Sequence, residues 1–210
     1  MNRAAMRLVD YLDKGASLGP DRPCLTTDGT TMTYADVQAL SHRVAAALVA
    51  AGVAPGETVA ILSANDPVAI SCVFGISRAG AGWCPVNPRH EAAENRELLD
   101  LFDCSVLIYQ ASYAPLVDKI RPDLPKIEAW ICLDGPVPVA APGALTWDDF
   151  LAGGSVDRPA DPPHDPAEDD LAMIVGTGGT TGRPKGVMLT GGNLETMRGT
   201  ASRTRSCRRR

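Results

Sequence analysis

Residues 176–187 read G-T-G-G-T-T-G-R-P-K-G-V, and their chemistry is that of an anion cradle. Gly176, Gly178, Gly179 and Gly182 let the backbone turn its N–H groups inward. Thr177, Thr180 and Thr181 add hydroxyl donors, and Lys185 supplies a cation. Two familiar phosphate loops fail on this string. Walker A needs a glycine before its lysine, and Pro184 stands there. A dinucleotide fingerprint begun at Gly176 meets Thr181 where its last glycine belongs. Both also require a helix directly after the loop, whereas Pro184 and the run Gly186-Val187-Met188-Leu189 favour a strand. The loop is therefore predicted to join two antiparallel strands. Composition alone leaves a ligand-free surface hairpin open.

No other residues have spacing suited to chemistry. Cys24, Cys72, Cys84, Cys104, Cys132 and Cys207 contain no C-x-x-C pair, and most lie in apolar runs where a thiol acts as a small buried hydrophobe. His42, His90 and His164 share no metal-site spacing and read as surface residues. There is no G-x-S-x-G elbow. A net charge of −5 argues against nucleic acid as the main partner, although six of the sixteen arginines fall in the last thirteen residues. The amino-terminal residues do not form a signal peptide, and no run approaches the roughly 20 apolar residues of a membrane span. The expectation is a cytoplasmic protein with reduced thiols.

The elements that must position the loop follow from periodicity. A short amphipathic helix is predicted over 6–18, then a hairpin turning at Asp28-Gly29. Thr33 and Asp36 form a capping box for a helix whose apolar face is Val37, Leu40, Val44, Ala47, Leu48 and Ala51, stopped by Gly52 and Pro55. GETVAILSAN is a buried strand, Asn65-Asp66-Pro67 starts the next helix, and 68–80 is helical. GWCPVN, SVLIYQ and KIEAWICLD are strands; HEAAENRELLDLF and SYAPLVDKI are helices. This alternation predicts an α/β fold of parallel βα units. The expected division is an α/β subdomain over 1–133, a proline-rich surface connector over 134–169 with one short helix (TWDDFLAGG), the start of a second subdomain over 170–197, and a disordered basic tail over 198–210.

The string T-G-G-T-T-G-R-P-K-G-V closely resembles the signature of the adenylate-forming synthetases, the superfamily of acyl-CoA synthetases, luciferases and peptide-synthetase adenylation domains. Residues 33–65 resemble that family's opening helix and strand, and G-W-C-P-V-N-P at 82–88 resembles its P-x-N-P strand exit. The likeness spans about 1–197 and is nearest the fatty-acid and acyl-CoA ligases. It implies the N-terminal subdomain of an acyl-CoA synthetase-like large domain, ending just after the phosphate-loop hairpin.

It also implies a reaction: a carboxylate and ATP give an acyl-adenylate and pyrophosphate, and the acyl group then passes to coenzyme A. By position, Thr177, Gly178, Gly179, Thr180, Thr181 and Gly182 would wrap the β- and γ-phosphates. Thr177 would approach Mg²⁺, and Lys185 would balance charge on the pyrophosphate. Gly178 stands where the family commonly has serine, and Gly191 where it commonly has histidine. The family's later glutamate, aspartate, hinge and lid-lysine motifs do not occur, so no catalytic residue is assigned. The expectation is a truncated ligase, inactive alone, whose parent takes a small carboxylic acid. A non-catalytic phosphate-binding or scaffold module is the alternative. The strands LAMIV and GVMLT should expose an edge and an apolar face, through which the chain self-associates.

Overall fold

The structure is a computed structural model that describes residues 6–27, 29–137, 144–154, 167–177 and 185–196. The capping-box expectation is met atom for atom: the Asp36 N–H donates to Thr33 Oγ1 at 3.1 Å, and the Thr33 N–H donates to Asp36 Oδ2 at 2.8 Å. This box starts helix α2, Tyr34–Ala50, which follows helix α1 (Leu8–Leu18) and the antiparallel hairpin β1 (Pro23–Thr27) and β2 (Thr30–Thr33). Gly52, at φ 94, ends α2 in the left-handed region that a β-carbon disfavours. Ala51, assigned to the buried face, is instead the exposed C-cap.

Strand β3 (Thr58–Leu62) is buried at every position. Asp66 then caps helix α3 (Pro67–Arg78), accepting from the Ala69 N–H at 2.9 Å with Pro67 in the first turn. Strand β4 (Gly82–Val86), helix α4 (Ala92–Leu101), strand β5 (Cys104–Tyr109), helix α5 (Ala114–Ile120) and strand β6 (Ala129–Cys132) continue the alternation. Strands β3 to β6 are mutually parallel, as expected.

Residues 144–154 depart from the reading of 134–169 as a surface excursion. Leu145–Thr146 form a two-residue strand β7 on the outer edge of β6, and helix α6 (Trp147–Ala152) buries Phe150 and Leu151 in the core. A two-residue strand has no periodicity to detect, and a six-residue helix gives little more. Strands β8 (Leu171–Thr177) and β9 (Lys185–Thr190) extend the same sheet, giving the order β7-β6-β5-β3-β4-β8-β9. The expected start of a second subdomain thus lies, through 190, within the sheet of the first. Helical backbone follows over 191–196.

Alternation along the strands builds a core on each face. Val59 and Ile61 of β3 pack with Val44, Leu48, Cys72, Ile76 and Phe150 of α2, α3 and α6. Ala60 and Leu62 face Leu99, Val117 and Ile120 of α4 and α5. Gly75 permits the close approach of α2 and α3, since a β-carbon there would lie 2.5 Å from Val44 Cγ1.

One buried charge ties the three amino-terminal helices together. Arg78 of α3, 2 % exposed, donates to Asp13 Oδ1 of α1 at 2.6 Å and to Ser41 Oγ of α2 at 3.2 Å, while Gln38 also donates to Asp13. Burial raises the Asp13 carboxyl, but hydrogen bonds from Arg78 and Gln38, with the Arg78 charge, outweigh it and hold Asp13 below the ordinary aspartate range. A lowered carboxyl stabilises the fold above its unfolded value of about 3.9, and that contribution is lost as pH falls through the folded value. Asp13→Ala is expected to cost about 2–3 kcal/mol, below the full cost of breaking a buried pair because the Asp13 side chain keeps 34 % exposure. Urea melts at neutral pH and below pH 4 test this: the difference between parent and variant should shrink on acidification.

Candidate phosphate-binding site

Strands β8 and β9 are antiparallel, as the loop's sequence required, with Thr177 opposite Lys185 and Gly176 opposite Gly186. Thr177 and Lys185 are the last described rung before 178–184. The Thr177 hydroxyl donates to the Lys185 carbonyl at 3.3 Å, and both residues are exposed. Residues on one cross-strand pair share a face, so the Thr177 and Lys185 side chains leave the same face of the hairpin at the root of the loop. Among the described residues, no carboxylate pairs with Lys185. Gly178, Gly179, Thr180, Thr181 and Gly182 lie outside the described residues.

The hairpin emerges at the end of the sheet where β3, β4, β5 and β6 also terminate, the edge at which parallel α/β sheets bind ligands. The crevice between β3 and β5, whose following helices take opposite faces, is bridged by the protein itself. Gln110 accepts from the Ala64 N–H at 2.8 Å, and Asp134 accepts from the Ala111 N–H at 2.6 Å and from Gln110 at 3.4 Å. The sequence reading missed this bridge because its members lie after three different strands. At the exit of β4, buried Asn95 of α4 donates to the carbonyls of Asn87 and His90, fixing the loop ahead of the helix.

The remaining residues singled out in the sequence do not converge. His90 stands 3.2 Å from Glu94, an ion pair when protonated; His42 lies on α2; His164 falls outside the described residues. Among the described residues, no group of three His, Cys, Asp or Glu side chains is placed to hold a metal, and no helix is long and apolar enough to cross a membrane. The five described cysteines are free thiols, four of them buried. Burial and the nearby Asp66 charge raise the Cys72 thiol. A hydrogen bond with Cys84, with burial, raises Cys104.

A mostly parallel α/β sheet ends in an edge hairpin with Thr177 and Lys185 at the two roots of its glycine-rich loop, and Lys185 has no carboxylate partner among the described residues. The chain belongs to the AMP-binding enzyme family, matching it over residues 12–209. It is 31 % identical to the 3-oxocholest-4-en-26-oate–CoA ligase of Rhodococcus rhodochrous over 88 % of this chain and 33 % of that one. It is also 31 % identical to the indoleacetate–CoA ligase of Aromatoleum aromaticum, over 90 % and 36 %. The fold superimposes on a putative long-chain-fatty-acid CoA ligase from Rhodopseudomonas palustris with a TM-score of 0.82 and 28 % identity, covering 95 % of this chain and 48 % of that one. On the anthranilate CoA ligase solved with anthranoyl-AMP the TM-score is 0.80 at 26 % identity, covering 90 % and 35 %. The chain spans about a third of the length of these curated relatives.

The thiols offer a direct check on this packing, because only Cys24 among the described five is not buried. In a Cys207→Ser background, a disulfide reagent such as Ellman's is expected to modify one thiol per native chain and all five after denaturation. Rapid native modification of more than one would contradict the burial of Cys72 on the α2–α3 side or of Cys84, Cys104 and Cys132 on the α4–α5 side.

Proposed function

We propose that this chain supplies the pyrophosphate-holding part of an AMP-forming acid–thiol ligase. The reaction joins a carboxylate to ATP, releasing pyrophosphate and leaving an acyl-adenylate, and then transfers the acyl group to coenzyme A. The observation that carries the reading is the Thr177–Lys185 rung: a hydroxyl donor and a cation with no carboxylate partner among the described residues, at the two roots of T-G-G-T-T-G-R-P, in a chain of the AMP-binding enzyme family.

The donor set fits polyphosphate, being backbone N–H groups, hydroxyls and an ammonium with no opposing carboxylate among the described residues. In this proposal Thr177 to Gly182 wrap the β- and γ-phosphates, and Lys185 offsets the negative charge that develops on the leaving pyrophosphate. The Thr177 oxygen is also a ligand of the type Mg²⁺ accepts. Mg²⁺, bound with ATP, would supply charge neutralisation at the β- and γ-phosphates.

The acids named in the relatives, 3-oxocholest-4-en-26-oate and indoleacetate, support a carboxylic acid as the substrate class, and the likeness to the long-chain-fatty-acid CoA ligase supports fatty-acid activation as the metabolic setting. Five described cysteines, all free thiols, support a cytoplasmic location. Strand β9 forms the edge of the sheet, with Val187 46 % and Met188 61 % exposed, which supports self-association of the isolated chain.

A thermal melt with and without Mg·ATP tests the central claim. The midpoint should rise, because a ligand that binds only the folded state adds about 2.7 kcal/mol of stability at roughly 100 times its Kd. Lys185→Met should abolish most of the rise while leaving the ligand-free midpoint within about 2 °C, since the side chain it replaces is exposed. An unshifted midpoint in the parent chain would refute phosphate binding by this chain.

A further inference from the structure

The glycine-rich hairpin is attached to the rest of the sheet by very little ladder. Strands β4 and β8 share a single register pair, Trp83 with Met173. Gly176 lies three residues beyond it, roughly 10 Å further along the strand, and there β8 has only β9 as a ladder partner. What supports this end of the hairpin is helix α4 beneath it.

The contact is specific. Gly176 and Gly186 are a direct cross-strand pair, one rung before Thr177 and Lys185. A β-carbon on Gly176 would lie 3.0 Å from both methyl carbons of Leu98. One on Gly186 would lie 2.5 Å from Phe102 Cε1, 2.9 Å from its Cζ and 3.2 Å from Ile174 Cδ1. Neither glycine has a positive φ, so neither is required by backbone conformation. A side chain at 186 would force the Phe102 ring to shift, and one at 176 would press Leu98 back by a few tenths of an ångström. Leu98 and Phe102 are 8 % and 6 % exposed and occupy the volume that side chains at 176 and 186 would need.

We infer that Leu98 of α4 and Phe102, the residue that caps its C-terminus, are positioning residues for the phosphate loop. They seat the Gly176–Gly186 rung and so set the angle at which Thr177 and Lys185 meet the polyphosphate. This rests on the phosphate-binding reading, which it deepens: two glycines of the motif serve not the ligand but the helix that aims the loop. Displacing the seated rung tilts the next one, and a hydroxyl and an ammonium about 3 Å further along the chain move with it. Leu98 and Phe102 need not touch nucleotide.

The test is a rescue. Gly186→Ala should weaken Mg·ATP at least tenfold, read as a loss of midpoint shift across an ATP titration. Gly176→Ala should weaken it less, because its clash is smaller. Adding Phe102→Leu to Gly186→Ala, which removes part of the ring, should recover most of the affinity. Amide hydrogen exchange of β9 in the ligand-free proteins, measured in parallel, should quicken in Gly186→Ala and slow again in the double variant.

A purely structural role would lower the ligand-free midpoint and leave ATP affinity unchanged, and that result would overturn the inference. So would failure of Phe102→Leu to recover either readout. If the parent chain itself shows no ATP response, the phosphate-binding reading falls. The seating by α4 is then decided by the exchange data alone: unchanged β9 exchange in Gly186→Ala would reject it, and rescued exchange would retain it.

Discussion

Every position of β3 is buried, and the rest of the fold is the arrangement that keeps it so. A parallel strand buried on both faces needs a hydrogen-bonded neighbour on each edge and a helix layer on each side. The chain provides these by going out through α3 to β4, then crossing back over the opposite face through α4 to β5. Right-handed crossovers leave no other way to place β4 and β5 on either side of β3. That reversal puts α4 on the face beneath β4 and β8. The helix that seats the glycine-rich hairpin is thus fixed by the needs of a strand two places away.

The hairpin shows how one short motif meets two unrelated demands. Gly178, Gly179 and Gly182 belong to a run whose composition suits a backbone that folds around an anion. Gly176 and Gly186 sit in regular strand, paired across the ladder, and leave room for Leu98 and Phe102. Sequence cannot separate these uses, because a glycine kept for its φ and a glycine kept for its missing β-carbon are the same letter. Only the contact with α4 distinguishes them.

The same boundary between local and distant causes decides what the sequence disclosed. The Thr33–Asp36 box, the Asp66-Pro67 helix start and the Gly52 stop are settled within a few residues, and all three are legible in the string. So is the antiparallel character of the loop's strands, because Pro184 forbids the helix that other phosphate loops need. Sheet order is not legible, since nothing in β5 names β3 rather than β4 as its neighbour. Arg78 reads as an ordinary helix-terminal cation, and its burial depends on Asp13, 65 residues earlier. Strand β7 is invisible because two residues have no period. In the candidate site, the residues that present donors are legible from their types, and the residues that aim them are not.

The exposure of Thr177 and Lys185 bears on what the cradle can contribute to a reaction. At about 4 Å in bulk water, two unit charges interact by roughly 1 kcal/mol, but by roughly 4 kcal/mol at the lower effective permittivity near a protein surface. An exposed ammonium can therefore locate a polyphosphate, yet it stabilises developing charge strongly only where water is excluded. The relatives carry about twice as much further polypeptide as the part this chain matches. Recognition of phosphate by backbone and hydroxyl groups is a local property that a hairpin can hold by itself. Excluding water is a property of enclosure, and an edge hairpin resting on a single helix does not enclose anything. Binding by the cradle and catalysis by it are thus separable demands, and the proposal made for β8 and β9 concerns only the first.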